Sequence, residues 1–174
     1  MSKRELKIYL EELTKSQLQE QILDLYARFK SVKTYYNFVF KPNEKKFLEE
    51  AKFKIAKEYF PLTARKPKAR RSVAQKIIKH FIQLGVDSYL IAEVMLFNIE
   101  VAQKFSKKKT INQDAFYKSM LNSFKEAVLY INEQSMLTDF KPRLNNICDE
   151  SKSQEWINAA TFEAILDSFS LLTE

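Results

Sequence analysis

The side chains able to do chemistry in this sequence are few, and most are cations. Residues 63–80, TARKPKARRSVAQKIIKH, hold seven Lys or Arg, no carboxylate and the only histidine, His80. No carboxylate falls between Glu58 and Asp87. If a helix begins inside this run, free backbone N–H groups stand beside Arg and Lys side chains and together form an anion site. Basic residues at a helix start also oppose the macrodipole, which favours anions there. The residues expected to meet a phosphate, a carboxylate or nucleic acid are Arg65, Lys66, Lys68, Arg71 and Lys79, with Lys107, Lys108 and Lys109 as a further basic group. The competing reading is an ordinary solvated helix face, or cations that pair with a more acidic part of the chain.

Other chemistries are limited by what is missing. A single glycine allows no glycine-rich phosphate loop and no dinucleotide fingerprint. One histidine and one cysteine cannot assemble a tetrahedral zinc site of the usual ligands. A di-iron Glu-x-x-His pattern fails because the residue three before His80 is Ile77. A His80–Cys148 catalytic pair would need those residues to meet in space, and Cys148 reads instead as a small buried hydrophobe. Glu93 and Glu100, seven apart, share one side of a helix and could serve acid–base or metal chemistry; the more ordinary expectation is that each meets Lys or Arg from a neighbouring helix. Tyr35, Tyr36, Phe38 and Phe40 resemble a base-stacking cluster in type, but inter-helix packing accounts for them better. No catalytic residue, metal or cofactor is expected, and an enzyme is the third choice of function.

The elements that must position these residues follow from composition. At 174 residues with 45% apolar side chains, including 14 Phe and 8 Tyr, one domain can form a large core. Folding at this length buries roughly 70% of the unfolded surface. One Gly and four Pro are far too few for a protein of many tight turns and suit long helices. The lone cysteine implies no oxidising compartment. The N-terminal MSKRELKIYLEEL lacks the apolar core of a signal peptide. The most apolar stretch, residues 89–99, is about half a membrane span and is interrupted by Glu93 and Asn98. A cytoplasmic protein with no membrane partner is expected. The net charge of +7 is uneven: residues 1–87 carry 20 basic and 10 acidic side chains, and residues 88–174 carry 9 and 12. Such asymmetry could steer an anion, an acidic protein, or the two halves toward each other.

Along the chain, Ser2 with Glu5 and Thr14 with Gln17 read as capping boxes. The second opens a helix expected to run to about Tyr36, while Tyr36, Phe38 and Phe40 also alternate as in a strand. Asn43 can cap a third helix ending before Pro61, with Phe47, Leu48, Ala51, Ile55 and Tyr59 inward. Residues 61–67 form the longest expected non-helical connection. A fourth helix buries Val73, Ala74, Ile77, Ile78, Phe81 and Leu84, stops at Gly85, and is followed by Asp87 as the next N-cap. Residues 88–105 are apolar nearly all round, with Leu90, Val94, Phe97, Val101 and Phe105 on one face, so this helix is expected at the centre of a bundle. Thr110 or Asn112 should cap a helix carrying Phe116, Met120, Phe124, Val128 and Ile131. Two shorter pieces follow, from about Pro142 to Cys148 and around 154–171.

The runs RKPKARRSVAQKIIKHFIQLGVD, LIAEVMLFNIEVAQKFS and LTKSQLQEQILDLYARFKSVKTYYNFVF together resemble an uncharacterised family of small bacterial all-helical proteins of unknown function. The likeness spans most of the chain. It implies a bacterial, intracellular protein and brings no activity, ligand or catalytic residue with it. The expected architecture is thus a single helical domain over 1–174: an all-α bundle of six to eight helices, with the apolar helix near 88–105 at its centre. The expected function is a non-enzymatic helical interaction module whose partner is another protein. The alternative is nucleic-acid or phosphate-anion binding through residues 65–79.

Overall fold

The computed structural model describes residues 1–170, and among these every regular element is an α-helix. In order they are α1 (Lys3–Glu11), α2 (Lys15–Arg28), α3 (Lys30–Phe40), α4 (Glu44–Tyr59), α5 (Arg71–Leu84), α6 (Ser88–Lys108), α7 (Asp114–Glu133), α8 (Leu137–Ser153) and α9 (Ala159–Ser170). The chain is all-α, with nine helices among the described residues where six to eight were expected. Packing divides it into two compact units, Met1–Asn43 and Glu44–Glu174.

In the first unit both capping boxes form. Glu5 N–H donates to Ser2 Oγ at 3.2 Å while Ser2 N–H donates to the Glu5 carboxylate at 2.6 Å. Gln17 N–H donates to Thr14 Oγ1 at 3.3 Å, and Thr14 N–H returns to Gln17 Oε1 at 2.9 Å. The single helix expected from Thr14 to Tyr36 is instead two, because Phe29 adopts an extended conformation (φ −111°, ψ 114°) between α2 and α3. No Gly or Pro marks that break. Tyr36 and its neighbours are helical, and their rings pack along and between α2 and α3: Tyr36 stacks on Phe40 at 6.1 Å and lies 6.4 Å from Tyr26. Tyr26 Oη donates to Asn37 Oδ1 at 3.1 Å across the same pair. This unit buries very little. No residue of α1 or α2 is buried, and in α3 only Phe38 is.

The second unit is built around α6, which packs against α4, α5, α7 and α8. Ala92, Val94, Leu96, Ile99 and Ala102 of α6 are removed from solvent. Fully burying an aliphatic side chain of the size of Val, Leu or Ile contributes about 1.5–3 kcal/mol, and α6 buries more side chains than α7 or α8. Phe97 and Leu90, expected on the buried face, are only half-buried; the Lys52 ammonium sits 5.3 Å from the Phe97 ring centroid. Behind α6, Phe124 of α7 meets Phe162 of α9 at 4.9 Å. Trp156, on the connection before α9, fills the space between Phe116, Tyr117 and Phe162. Neither Thr110 nor Asn112 caps α7; its N-cap is Gln113, without a side-chain cap bond. α8 begins more than a turn before Pro142 and runs through it. Thr138, whose carbonyl the missing proline N–H would have met, is exposed to water.

Three helices of this unit end in the same way. Gly85 closes α5 at φ +71°, and Val86 N–H donates back to Phe81 O at 3.1 Å. Ser135 (φ +58°) and Glu155 (φ +53°) do the same for α7 and α8, with Met136 N–H reaching Ile131 O at 2.9 Å and Trp156 N–H reaching Ser151 O at 3.0 Å. Each is a left-handed residue after the helix with a six-to-one backbone bond. Only one of the three uses glycine, so two carry the steric cost of a Cβ in that region. Ser135→Gly and Glu155→Gly should each raise stability by about 0.5–1 kcal/mol in urea melts. Gly85→Ala should lower it by about 1 kcal/mol, from the backbone alone, because nothing lies within 4 Å of a Cβ built there. A loss of stability in both glycine variants would show that these two ends are not strained.

Candidate functional site

The cationic run divides when it folds. α4 ends at Tyr59, and the chain then stays irregular until Arg71 starts α5. One residue, Glu58, closes this loop. Its carbonyl accepts from both Lys68 N–H (3.0 Å) and Ala69 N–H (2.9 Å), with Ala69 in a left-handed conformation at φ +47°. Its carboxylate takes a two-point hydrogen bond from the Arg70 guanidinium, 2.8 Å at each oxygen. The Arg70 hydrogen bonds and charge hold the Glu58 carboxyl below its ordinary range, against a smaller opposing effect of burial. Thus pinned, the loop forms an open concavity of about 460 Å³ lined by Lys57, Pro61, Leu62, Arg65, Lys66 and Lys68, among others.

Of the five residues singled out in the sequence, Arg65, Lys66 and Lys68 line this concavity together. Each is exposed, and none appears in an ion pair among the described residues. Arg71 does not join them. Its guanidinium bonds Glu126 of α7 at 2.6 Å and Ser123 Oγ at 2.8 Å, and its side chain is only 19% exposed. Lys79 lies about two turns further along α5, exposed and away from the concavity.

A second set of cations adjoins the loop. Phe60, immediately before Pro61, packs edge-on against Phe105 at 6.0 Å, and the Lys108 ammonium stands 5.4 Å from its ring centroid. Phe60, Lys104, Lys107 and Lys108 frame a shallower hollow of about 290 Å³. Lys107 is paired with Glu150 at 3.1 Å, whereas Lys104 and Lys108 are exposed and have no carboxylate partner among the described residues. Along α4 and at the residue just past its end, Phe53, Lys57 and Phe60 recur at i, i+4 and i+7, with Lys57 Nζ 4.8 Å from the Phe53 ring centroid. Sequence reasoning missed Lys57, Phe53 and Phe60. Their spacing was the available signal: it sets them on one stripe, off the face carrying Ala51, Ile55 and Tyr59.

The carboxylates of α6 are used structurally. Arg143 of α8 bonds Glu100 at 2.5 and 2.9 Å and also bonds Glu93, while Lys52 of α4 meets Glu93 at 2.5 Å. Burial would raise the Glu93 carboxyl, but hydrogen bonds from Lys52 and the charges of Arg143 and Lys52 outweigh it and hold the group below its ordinary range. His80 lies in the groove between α4 and α5, and Cys148 beside Asp149, Glu163 and Asp167 between α8 and α9, so no His–Cys pair forms. Burial, with those carboxylates, pushes the Cys148 thiol up to about 12, which leaves it unreactive.

The arrangement is that of an all-helical protein with an open basic end and no assembled acid–base or nucleophilic constellation among the described residues. The chain belongs to DUF6155, a family of unknown function whose model matches residues 1–170. No curated protein and no solved structure matches it. Among the described residues, no helix is long and apolar enough to cross a membrane.

Arg143→Met should destabilise the protein by about 2–3 kcal/mol, because it leaves Glu93 and Glu100 together with only Lys52 opposite. That is less than the roughly 3–5 kcal/mol of a fully buried pair, since 25% of the Arg143 side chain stays exposed. Glu93 has a depressed folded-state pKa, so its contribution is present above the unfolded carboxylate value of about 4.3 and is lost as pH falls through the lower folded value. Urea melts from pH 7 down to pH 3 should therefore bring the variant and parent closer together. A constant gap would mean that the ion pairs are not its source.

Proposed function

We propose that this chain is a non-enzymatic helical interaction module whose partner is another protein. The observation that carries the reading is the apolar surface of the first unit. Leu6, Ile8, Leu23, Phe29, Val39 and Phe40 are all exposed there, Phe40 at 77%. Short helices gain most of their stability from packing an amphipathic face, and α1 to α3 have 9, 14 and 11 residues. Exposed apolar side chains on short helices that bury little suit a partner's apolar face. The sparseness of catalytic side chains supports binding rather than turnover, and a bacterial, cytoplasmic setting is part of the proposal, resting on the resemblance implied by the sequence alone. Capture of partners from lysate should survive nuclease treatment and be lost on Leu23→Glu with Phe40→Glu. Capture unchanged by these substitutions, or abolished by nuclease, would overturn the reading.

A second reading rests on the grouping of unpaired Arg65, Lys66 and Lys68 in one concavity. In it the basic end binds phosphate groups of a nucleic acid. Changing Arg65, Lys66 and Lys68 to Gln should weaken binding to all sequences alike. The slope of log K against log salt should become shallower by about 0.9 per lost contact. Stability should hold, since none of the three is in an ion pair among the described residues and only the charge of Lys68 acts on Glu58, whose main partner is Arg70. Arg71→Gln, by contrast, should lower stability through Glu126 and Ser123. If the triple variant melts earlier while its binding is unchanged, the cations serve the fold.

A further inference from the structure

We propose that the basic end of the second unit binds single-stranded nucleic acid, with bases stacking on Phe60 and Phe53 and phosphates meeting Lys57, Lys66, Lys68 and Lys108. The proposal rests on the anion-binding reading above and narrows it to one class of polyanion. Cations alone would suit any acidic partner. The discriminating feature is that aromatic rings alternate with them on the surface.

Phe53 lies on α4 and Phe60 just past its end, where Phe60 N–H still donates to Ala56 O at 2.8 Å, and Lys57 falls between them in the chain. Phe53 is 52% exposed and Phe60 37%. Each ring has a lysine ammonium near it: Lys57 at 4.8 Å from Phe53 and Lys108 at 5.4 Å from Phe60. An exposed phenyl ring costs solvation free energy and gains little from a solvated ammonium at that range. A nucleobase offers each ring a flat apolar partner, and its phosphates offer the displaced lysines one of opposite charge. Both lysines are long, flexible chains that can leave the ring face without moving the backbone. Phe60 itself is anchored by its T-shaped contact with Phe105, 6.0 Å between ring centroids.

Beyond Phe60 the surface continues without a break in sequence into Pro61, Leu62 and the concavity that holds Arg65, Lys66 and Lys68. Leu62 is 71% exposed there. Rings, an apolar wall and cations thus follow one another along a single path. A duplex keeps its bases stacked on each other and offers the rings no face, so it would use only the cations. An acidic peptide would do the same.

The experiment is fluorescence anisotropy at low salt with three probes: a labelled 12-nucleotide oligo(dT), a mixed-sequence duplex matched in phosphate number, and polyglutamate. The full chain should bind the oligonucleotide at least about ten-fold more tightly than either other probe. Phe60→Leu keeps an apolar side chain against Phe105 but removes the stacking face, and should weaken oligonucleotide binding by about 5- to 50-fold while leaving duplex and polyglutamate binding unchanged. Phe53→Leu, at an exposed position, provides the same comparison should Phe60→Leu lower the melting temperature. Lys66→Gln with Lys68→Gln should weaken all three. Equal or tighter binding of duplex or polyglutamate, or no effect of either leucine substitution, overturns the stacking proposal while leaving anion binding in place. No binding of any probe overturns both.

Discussion

The sharing of Arg143 between Glu93 and Glu100 is the constraint around which the second unit is arranged. A helix that buries Val94, Leu96 and Ile99 cannot leave charges at its half-buried positions, Glu93 and Glu100, without partners. Glu93 and Glu100 lie seven residues apart, two turns along one side of α6, and the guanidinium of α8 spans them. Lys52 completes the set from α4. The apolar contacts of α6 are the most extensive of any helix in the unit and are tolerant of small slides along the helix axis. The four-member ion cluster is not tolerant of them, because one turn of slip would part the guanidinium from one of its carboxylates. Burial therefore supplies magnitude, and the ion cluster supplies register among α4, α6 and α8. Other polar groups in the same region follow suit: Gln103 donates to Ile147 O at 2.8 Å and to Ser151 Oγ at 3.0 Å, which ties α6 to α8 a further turn along.

What could be read from the sequence was whatever is decided within a few residues. Both capping boxes, the glycine stop at Gly85 and the Asp87 cap on Tyr89 N–H at 2.8 Å are local, and each is present as expected. The central position of α6 follows from its apolar content. The expectation that Glu93 and Glu100 meet basic residues of neighbouring helices also holds, because a carboxylate on so apolar a helix has few alternatives. The break at Phe29 was not legible, since an aromatic residue in extended conformation leaves no signature of its own. The helix ends at Ser135 and Glu155 were hidden for the opposite reason: positive φ is read from Gly or Asn, and neither residue type stands there.

The candidate site was half legible. Charge density marked the run, and Arg65, Lys66 and Lys68 stay together because one irregular loop carries all three. Arg71 looked equivalent in sequence, yet it starts the helix, and that places its guanidinium against α7, some fifty residues away in the chain. Linear spacing cannot distinguish a cation that points outward from one that finds a distant carboxylate. The same limit hid the neighbourhood of Phe60 and Lys108, which are 48 residues apart in the chain and meet only because α4 and α6 pack side by side.

Glu58 gives the basic loop a property that its composition alone would not. A connection this rich in Lys and Arg, with no helix or strand of its own, would ordinarily sample many shapes, and any ligand would have to select one of them. Here both the backbone and the side chain of a single helical residue fasten the loop's far end, through Lys68 N–H, Ala69 N–H and the Arg70 guanidinium. Much of the conformational entropy is consequently surrendered when the protein folds rather than when it meets a partner. The loop is a hoop whose far end is tied back to the helix it leaves, at Lys68, Ala69 and Arg70.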